Sequence, residues 1–433
     1  MIRRLASGSP RARLARGSAW MLGGIGIQQA AALASSIATA RILGAAGFGE
    51  LGLIRTTTAT FVLLAASHLG LAASRYVAEL RTADPARAGR VLGLLFNTAL
   101  ISGVVATALF FLIASPVARD MAKAPQLNGP LAAGAALIVL TGIGIVQVGA
   151  LMGFEAFRAA AALTAIEGVL TAAGMAAGAI GGGVLGAVGG IVAAQAVSCV
   201  WKSQVLSKTC AGAGISIRHR GVAAERHVLW SFVLPSWLYG VSMQPFDWLS
   251  RLLLARGPGG LADVGIFSAA YGWGQVLLVP PLQLTRASMP ILTERYTSAE
   301  PGAFARLLRE SLTGAIALTV LGAVPVLACS SLIMRAYGSA FSTGTSVLAI
   351  VVLSALVGSA GLVLRLALLA TGRAWQQAAI GLIWGAALLG TFMLGNGGAV
   401  ALARSHVAAA VLVVTLQAFL VARARHGQHE ARP

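Results

Sequence analysis

Long apolar runs, separated by short polar segments that are mostly basic, set the pattern of this chain. Residues 91–117 and 381–403 contain no charged side chain at all. A helix crosses the hydrocarbon of a bilayer in about 20 residues, so such runs predict transmembrane helices. Read this way, the sequence predicts twelve spans, at 18–40, 50–72, 91–114, 131–152, 159–180, 184–204, 229–250, 265–285, 310–333, 346–369, 374–394 and 397–421. Composition agrees. Apolar residues make up 57% of the 433 positions and charged residues 10%, with a mean hydropathy of +0.83. An ordinary soluble domain carries about 25% charged residues. A soluble enzyme, a disordered chain and a disulfide-built module are excluded, and the expected fold class is an all-α membrane protein.

Charge adds orientation. Lys and Arg number 32 against 13 Asp and Glu, a formal net charge of +19. In a soluble protein that excess would suggest nucleic acid; here the basic residues fall between apolar runs, where they record topology. With the N-terminus cytosolic, inner segments hold 23 of them and outer segments six, while Arg55, Arg365 and Arg404 fall within spans. Both termini are therefore expected in the cytosol. The first run exceeds the 7–15 residues of a signal-peptide core and reads as a retained span. The expected organisation is a basic N-terminus (1–17), a first lobe (18–204), a cytosolic linker lying on lipid headgroups (205–228), a second lobe (229–421) and a cytosolic tail (422–433). Cys199, Cys210 and Cys329 have no metal-ligand spacing and read as small apolar residues.

The two halves repeat. Trp20-Met21-Leu22-Gly23 matches Trp237-Leu238-Tyr239-Gly240, and Glu50-Leu51-Gly52 matches Asp263-Val264-Gly265. Ala73-Ser74 with Glu79 matches Ala287-Ser288 with Glu294, and Gly153 with Phe157 matches Gly372 with Trp375, all at offsets of 213–219. A unit of six spans enters the membrane the same way twice, so the copies are parallel repeats, and such bundles bind a substrate between lobes that rock. Gly, 53 residues in all and dense at 181–190, is expected to let helices pack closely, with hinges as the alternative. Glu50 and Asp263, each just before a span, complement the helix dipole.

The run Ala40-Arg41-Ile42-Leu43-Gly44-Ala45-Ala46-Gly47-Phe48-Gly49, with Arg75-Tyr76-Val77-Ala78-Glu79 after the next span, resembles the bacterial polysaccharide and O-antigen flippases. These belong to the multidrug/oligosaccharidyl-lipid/polysaccharide exporter superfamily. Gly265-Ile266-Phe267-Ser268-Ala269-Ala270-Tyr271 is similar to the matching segment of the second half. The resemblance implies a V-shaped bundle of two six-helix lobes, like that of the multidrug and toxic compound extrusion (MATE) transporters, in the bacterial inner membrane. It implies movement of a lipid-linked oligosaccharide diphosphate, of the undecaprenyl type, from the cytosolic to the periplasmic leaflet for lipopolysaccharide or other surface polysaccharide. A polysaccharide polymerase is an expected partner and a proton or sodium ion an expected driver. Neither nucleic acid nor a cofactor is expected.

An anionic headgroup crossing a bilayer needs a hydrated path lined by cations, and Arg offers a planar fork of donors that stays charged. An ionisable group at mid-bilayer costs about 2.5–3.5 kcal/mol on insertion scales, which makes each one a candidate. The cavity candidates are Arg55, Asp247, Arg251, Arg365 and Arg404. Arg55 and Arg365 have snorkelling to the headgroups as the alternative. Asp247 and Arg251, four apart, share a helix face and form either a local ion pair or a pair that phosphate opens. Glu167, the deepest acid, is the ion-coupling candidate, with a neutral hydrogen-bonded role as the alternative. No metal site and no catalytic constellation is expected. A cation-coupled drug exporter of the same fold and a lipid-linked peptidoglycan precursor flippase are the near rivals. The first generally needs a membrane-embedded carboxylate early in the first lobe, and 18–40 has none. A membrane glycosyltransferase or polymerase is the distant rival, and it would need paired carboxylates, a metal site or a large loop.

Overall fold

The computed structural model describes residues 10–233, 242–297 and 302–430. All regular secondary structure among the described residues is helical. Nine stretches there are long and apolar enough to cross a membrane. Two of them, Ala19–Ala83 and Phe157–Gly212, each hold two of the predicted spans, so the nine contain eleven of the twelve. The remaining span, 229–250, falls partly on 234–241, outside the described residues. Many side chains left on the outside are large and apolar, among them Leu112, Ile180, Leu321 and Leu394. This is the surface of a multi-pass membrane protein.

The helices are α1 (Pro10–Ala66), α2 (Leu69–Ala83), α3 (Pro85–Pro116), α4 (Asn128–Gly134), α5 (Ala136–Gly153) and α6 (Phe157–Gly212). They continue as α7 (Gln244–Ala255), α8 (Gly260–Thr297), α9 (Ala303–Ala328), α10 (Ser330–Tyr337), α11 (Thr345–Ala370), α12 (Ala374–Met393) and α13 (Gly398–Glu430). Two compact units result. One comprises Met1–Leu43 with Ile54–Val241, the other Gly44–Leu53 with Ser242–Pro433.

Glycine explains how two long helices each serve as two spans. A straight helix of 56 residues would extend about 84 Å, far beyond a hydrocarbon core of about 30 Å. α6 breaks at Gly182 and Gly183, the latter at φ 57°, which an L side chain rarely adopts. It then folds back on itself. A Cβ on Gly178 would meet the Gly186 carbonyl oxygen at 2.0 Å, and one on Gly190 the Gly174 carbonyl at 1.9 Å. Within 181–190 the close-packing role thus falls to Gly186 and Gly190, while Gly182 and Gly183 make the break. Because the obstacle is backbone, Gly190→Val cannot be absorbed by a rotamer change. We expect at least the 1–3 kcal/mol cost of ordinary overpacking, read as a lower melting temperature in detergent, with Gly189→Val, which meets nothing within 4 Å, as the tolerated control.

Within the first unit, Asp84 caps α3 by accepting from the Arg87 backbone N–H at 2.9 Å, and Pro85 occupies the first turn. The segment after α6 is bound to α3. Arg218 N–H donates to the Gly89 carbonyl at 3.1 Å, and Arg87 and Arg90 donate to Glu225 at 3.0 and 3.2 Å. Two arginines counted among the inner basic residues therefore hold a carboxylate that is 5% exposed. Arg81 similarly pairs with Glu155. In the second unit, α11 packs against α8, α9 and α13. Its Val363, Leu364, Ala367 and Leu368 join Leu308, Ile380 and Val413 in a buried core. Phe48 of α1 lies edge-on to Tyr337 and Phe341, with ring centroids 6.1 and 6.0 Å apart.

Candidate functional site

Each unit encloses polar chemistry inside helices built for lipid. In the first, α5 and α6 present Thr141, Gly144, Glu167, Gln195 and Lys202 to a cavity of about 350 Å³. Lys202 Nζ donates to Glu167 Oε2 at 2.8 Å, with side-chain exposures of 2% and 16%. Charge counting places Lys202 in a basic flank; the helix instead continues past it and turns it inward. The reason it can do so is space. Gly144 carries no side chain, and a Cβ there would sit 3.3 Å from Lys202 Nζ and 3.5 Å from Gln195 Nε2. Nearby, Gln147 donates to Ser203 Oγ at 2.7 Å and to the Cys199 carbonyl at 3.0 Å, tying α5 to α6.

In the second unit Asp247, Arg251 and His406 form a buried cluster. Asp247 lies in the first turn of α7, where the dipole favours an acid, and is 7% exposed. Arg251 Nη2 meets its Oδ2 at 3.2 Å and His406 Nε2 its Oδ1 at 3.2 Å. The His406 Nδ1 faces the Leu402 carbonyl at 3.0 Å. Carbonyl and carboxylate oxygens both accept, so the ring is held between two acceptors. The Arg251 guanidinium lies over Tyr271 and Phe267, 4.6 and 5.3 Å from the ring centroids, and Trp384 meets the His406 ring at 5.9 Å. Sequence gives the Asp247–Arg251 spacing but not the histidine that completes it.

A second cavity, about 120 Å³, lies beyond Trp384. Its walls include Gly361, Arg365, Gln377, Trp384 and Gln417. Gln417 Nε2 donates to Gln377 Oε1 at 2.9 Å, both residues being buried. The two cavities occupy matching places in the repeat. Thr141, Gly144, Ile145, Val148 and Glu167 of the first stand at an offset of 217 from Gly358, Gly361, Leu362, Arg365 and Trp384 of the second. Gln195 and Lys202 stand 215 before Ala410 and Gln417.

Of the residues singled out in the sequence, Glu167 and Arg365 thus line cavities, and Asp247 with Arg251 forms a buried ion pair. Arg55 and Arg404 are exposed on their helices and belong to neither cavity. Among the described residues no group of three or more His, Cys, Asp or Glu could hold a metal ion.

Residues 14–294 match the family model described as polysaccharide biosynthesis protein. No curated protein matches the chain. Solved structures with a similar fold include an inward-facing MATE family multidrug resistance transporter of the MOP superfamily, with a TM-score of 0.79, 17% identity and coverage of 92% of this chain and 96% of that one. An outward-facing MATE family transporter gives 0.72 at 16% identity, over 98% of both chains. A MOP superfamily transporter from Pyrococcus furiosus, described as having a binding pocket of reverse polarity, gives 0.70 at 16% over 98% of both. At these identities the likeness establishes a MATE-like all-α membrane fold.

Proposed function

The chain belongs to the polysaccharide biosynthesis protein family, and from that premise we propose that it moves a lipid-linked oligosaccharide diphosphate from the cytosolic to the periplasmic leaflet of a bacterial inner membrane. The family and fold are those of transporters rather than enzymes. The observation that carries the reading is the placement of cations at cavity walls inside apolar helices: Lys202 in one unit and Arg365 in the other. An isoprenoid tail stays in lipid, while the diphosphate and sugars need a polar path. Arg55, Asp247, Arg251, Arg365 and Arg404 are the proposed contacts along it. Glu167 is the proposed coupling carboxylate, because a proton or sodium ion there would release the charge of Lys202 for an anion. Both termini are placed in the cytosol on the positive-inside count, the lobes are placed at 18–204 and 229–421, and a polymerase is the proposed recipient of the flipped product.

Deleting the gene should strand the lipid-linked precursor on the cytosolic leaflet and abolish the surface polymer, with the wild-type gene restoring both. Persistent polymer with increased drug sensitivity would instead favour a drug exporter of the same fold. Single Arg55→Ala, Arg251→Ala and Arg365→Ala variants, each compared with its Lys variant, test the anion path. Losing one phosphate-binding guanidinium is expected to remove about 1.5–3 kcal/mol of charge-assisted hydrogen bonding, a tenfold or greater drop in export. Normal export from all three Ala variants removes the assignment.

A further inference from the structure

The repeat-related cavities differ in one respect that bears on ligands: the first is closed upon itself and the second is not. At the positions of Glu167 and Lys202 the second copy has Trp384 and Gln417, and at the position of Val148 it has Arg365. A charge pair that satisfies itself has been exchanged for a flat ring and a neutral amide, with a cation moved to the wall. Resting on the flippase reading above, we propose that the cavity of the second unit binds the first sugar of the glycan, the one joined directly to the diphosphate, with Arg365 taking the adjoining phosphate.

The hydrogen-bond inventory supports a hydroxyl-bearing ring. Two glutamine amides joined by one bond always leave an acceptor on one and a donor group on the other. Here Gln417 Oε1 is fully buried with no partner, although its residue lines the cavity and is 2% exposed. It lies 3.5 Å from where a Cβ on Gly361 would stand, so a glycine keeps the wall open beside it. An unmet acceptor is costly in a dry site, and a vicinal diol matches such an array, since each hydroxyl both donates and accepts. Trp384 adds an apolar face to the same wall. Arg365 makes no hydrogen bond or ion pair with another described residue, so its donor fork has no resident anion. A volume of about 120 Å³ suits part of one sugar ring and not an oligosaccharide. A site built to bond hydroxyls also discriminates against rings that lack them, because its amides are then left unpaired. This makes the cavity a determinant of which precursor is accepted.

The test uses the full chain in lipid nanodiscs, with glucose 1-phosphate and galactose 1-phosphate as probes, and inorganic phosphate and methyl glucoside as partial ligands. Binding of the sugars is followed by saturation-transfer NMR and that of inorganic phosphate by its competition with the hexose 1-phosphates, up to about 20 mM, where even millimolar dissociation constants register. At least one hexose 1-phosphate should bind about tenfold more tightly than inorganic phosphate. Gln417→Met and Trp384→Phe should each remove most of that increment while leaving inorganic phosphate binding unchanged, which also shows that the variants are folded. Arg365→Met should weaken all three phosphates alike. No increment over inorganic phosphate in the wild type, or an increment untouched by both substitutions, overturns the proposal while the flippase reading stands. A deletion strain that still assembles its polymer overturns the flippase reading and the sugar assignment with it.

Discussion

Lys202→Met and Glu167→Gln should each lower the stability of the purified protein by about 3 kcal/mol or more, and the double variant by much less than their sum. Removing one member of a buried ion pair leaves the other charge without compensation, a loss of about 3–5 kcal/mol, whereas replacing both by neutral groups is often close to neutral. A double-mutant cycle on detergent-solubilised protein, read as melting temperature at pH 7, measures the coupling. If either single variant melts with the wild type at pH 7, the 2.8 Å contact carries no net stabilisation, and Glu167 loses its claim as the group whose neutralisation frees Lys202.

The spans were legible because their signal is one-dimensional: a helix in lipid satisfies its own backbone, so an apolar run of sufficient length is enough. Their ends were less so. α6 runs to Gly212 and α13 to Glu430, because a helix does not stop where it leaves apolar sequence, and charge counting then treats inward residues as flanks. Lys202 illustrates the error. Asp247 and Arg251 were readable as a pair, being one turn apart, but His406 is 159 positions away in sequence. Gln377 and Gln417, 40 positions apart, are common polar residues whose importance lies wholly in their meeting. For Arg55 and Arg404 the sequence carries no label saying which way an arginine inside a span points, and both are exposed on their helices.

The repeat links these cases. Similar backbone on both sides of an offset near 217 makes similar hollows, because the small residues that open them recur: Gly144 in one and Gly361 in the other. What fills the hollow is free to diverge. A transporter made of two copies of one element can keep one pocket for the charge that drives the cycle and the other for the cargo, since only the shared helix packing must be retained for the lobes to keep their form.

The Asp247 cluster is expected to give the second large effect. Asp247→Leu strands Arg251, which is 6% exposed and whose Nε already has no hydrogen-bond partner. Stacking on Tyr271 and Phe267 is made with or without Asp247, so it does not offset the loss of about 3–5 kcal/mol expected when a buried partner is removed. The variant should therefore be strongly destabilised, and Asp247→Leu with Arg251→Met should recover much of the loss. His406 supplies an independent readout. Its two nitrogens face a carbonyl and a carboxylate at 3.0 and 3.2 Å. His406→Phe keeps the stacking with Trp384 but removes the contact with Asp247, so it should lower the melting temperature by less than Asp247→Leu does. A His406→Phe protein that melts with the wild type would mean that the histidine contributes only its ring.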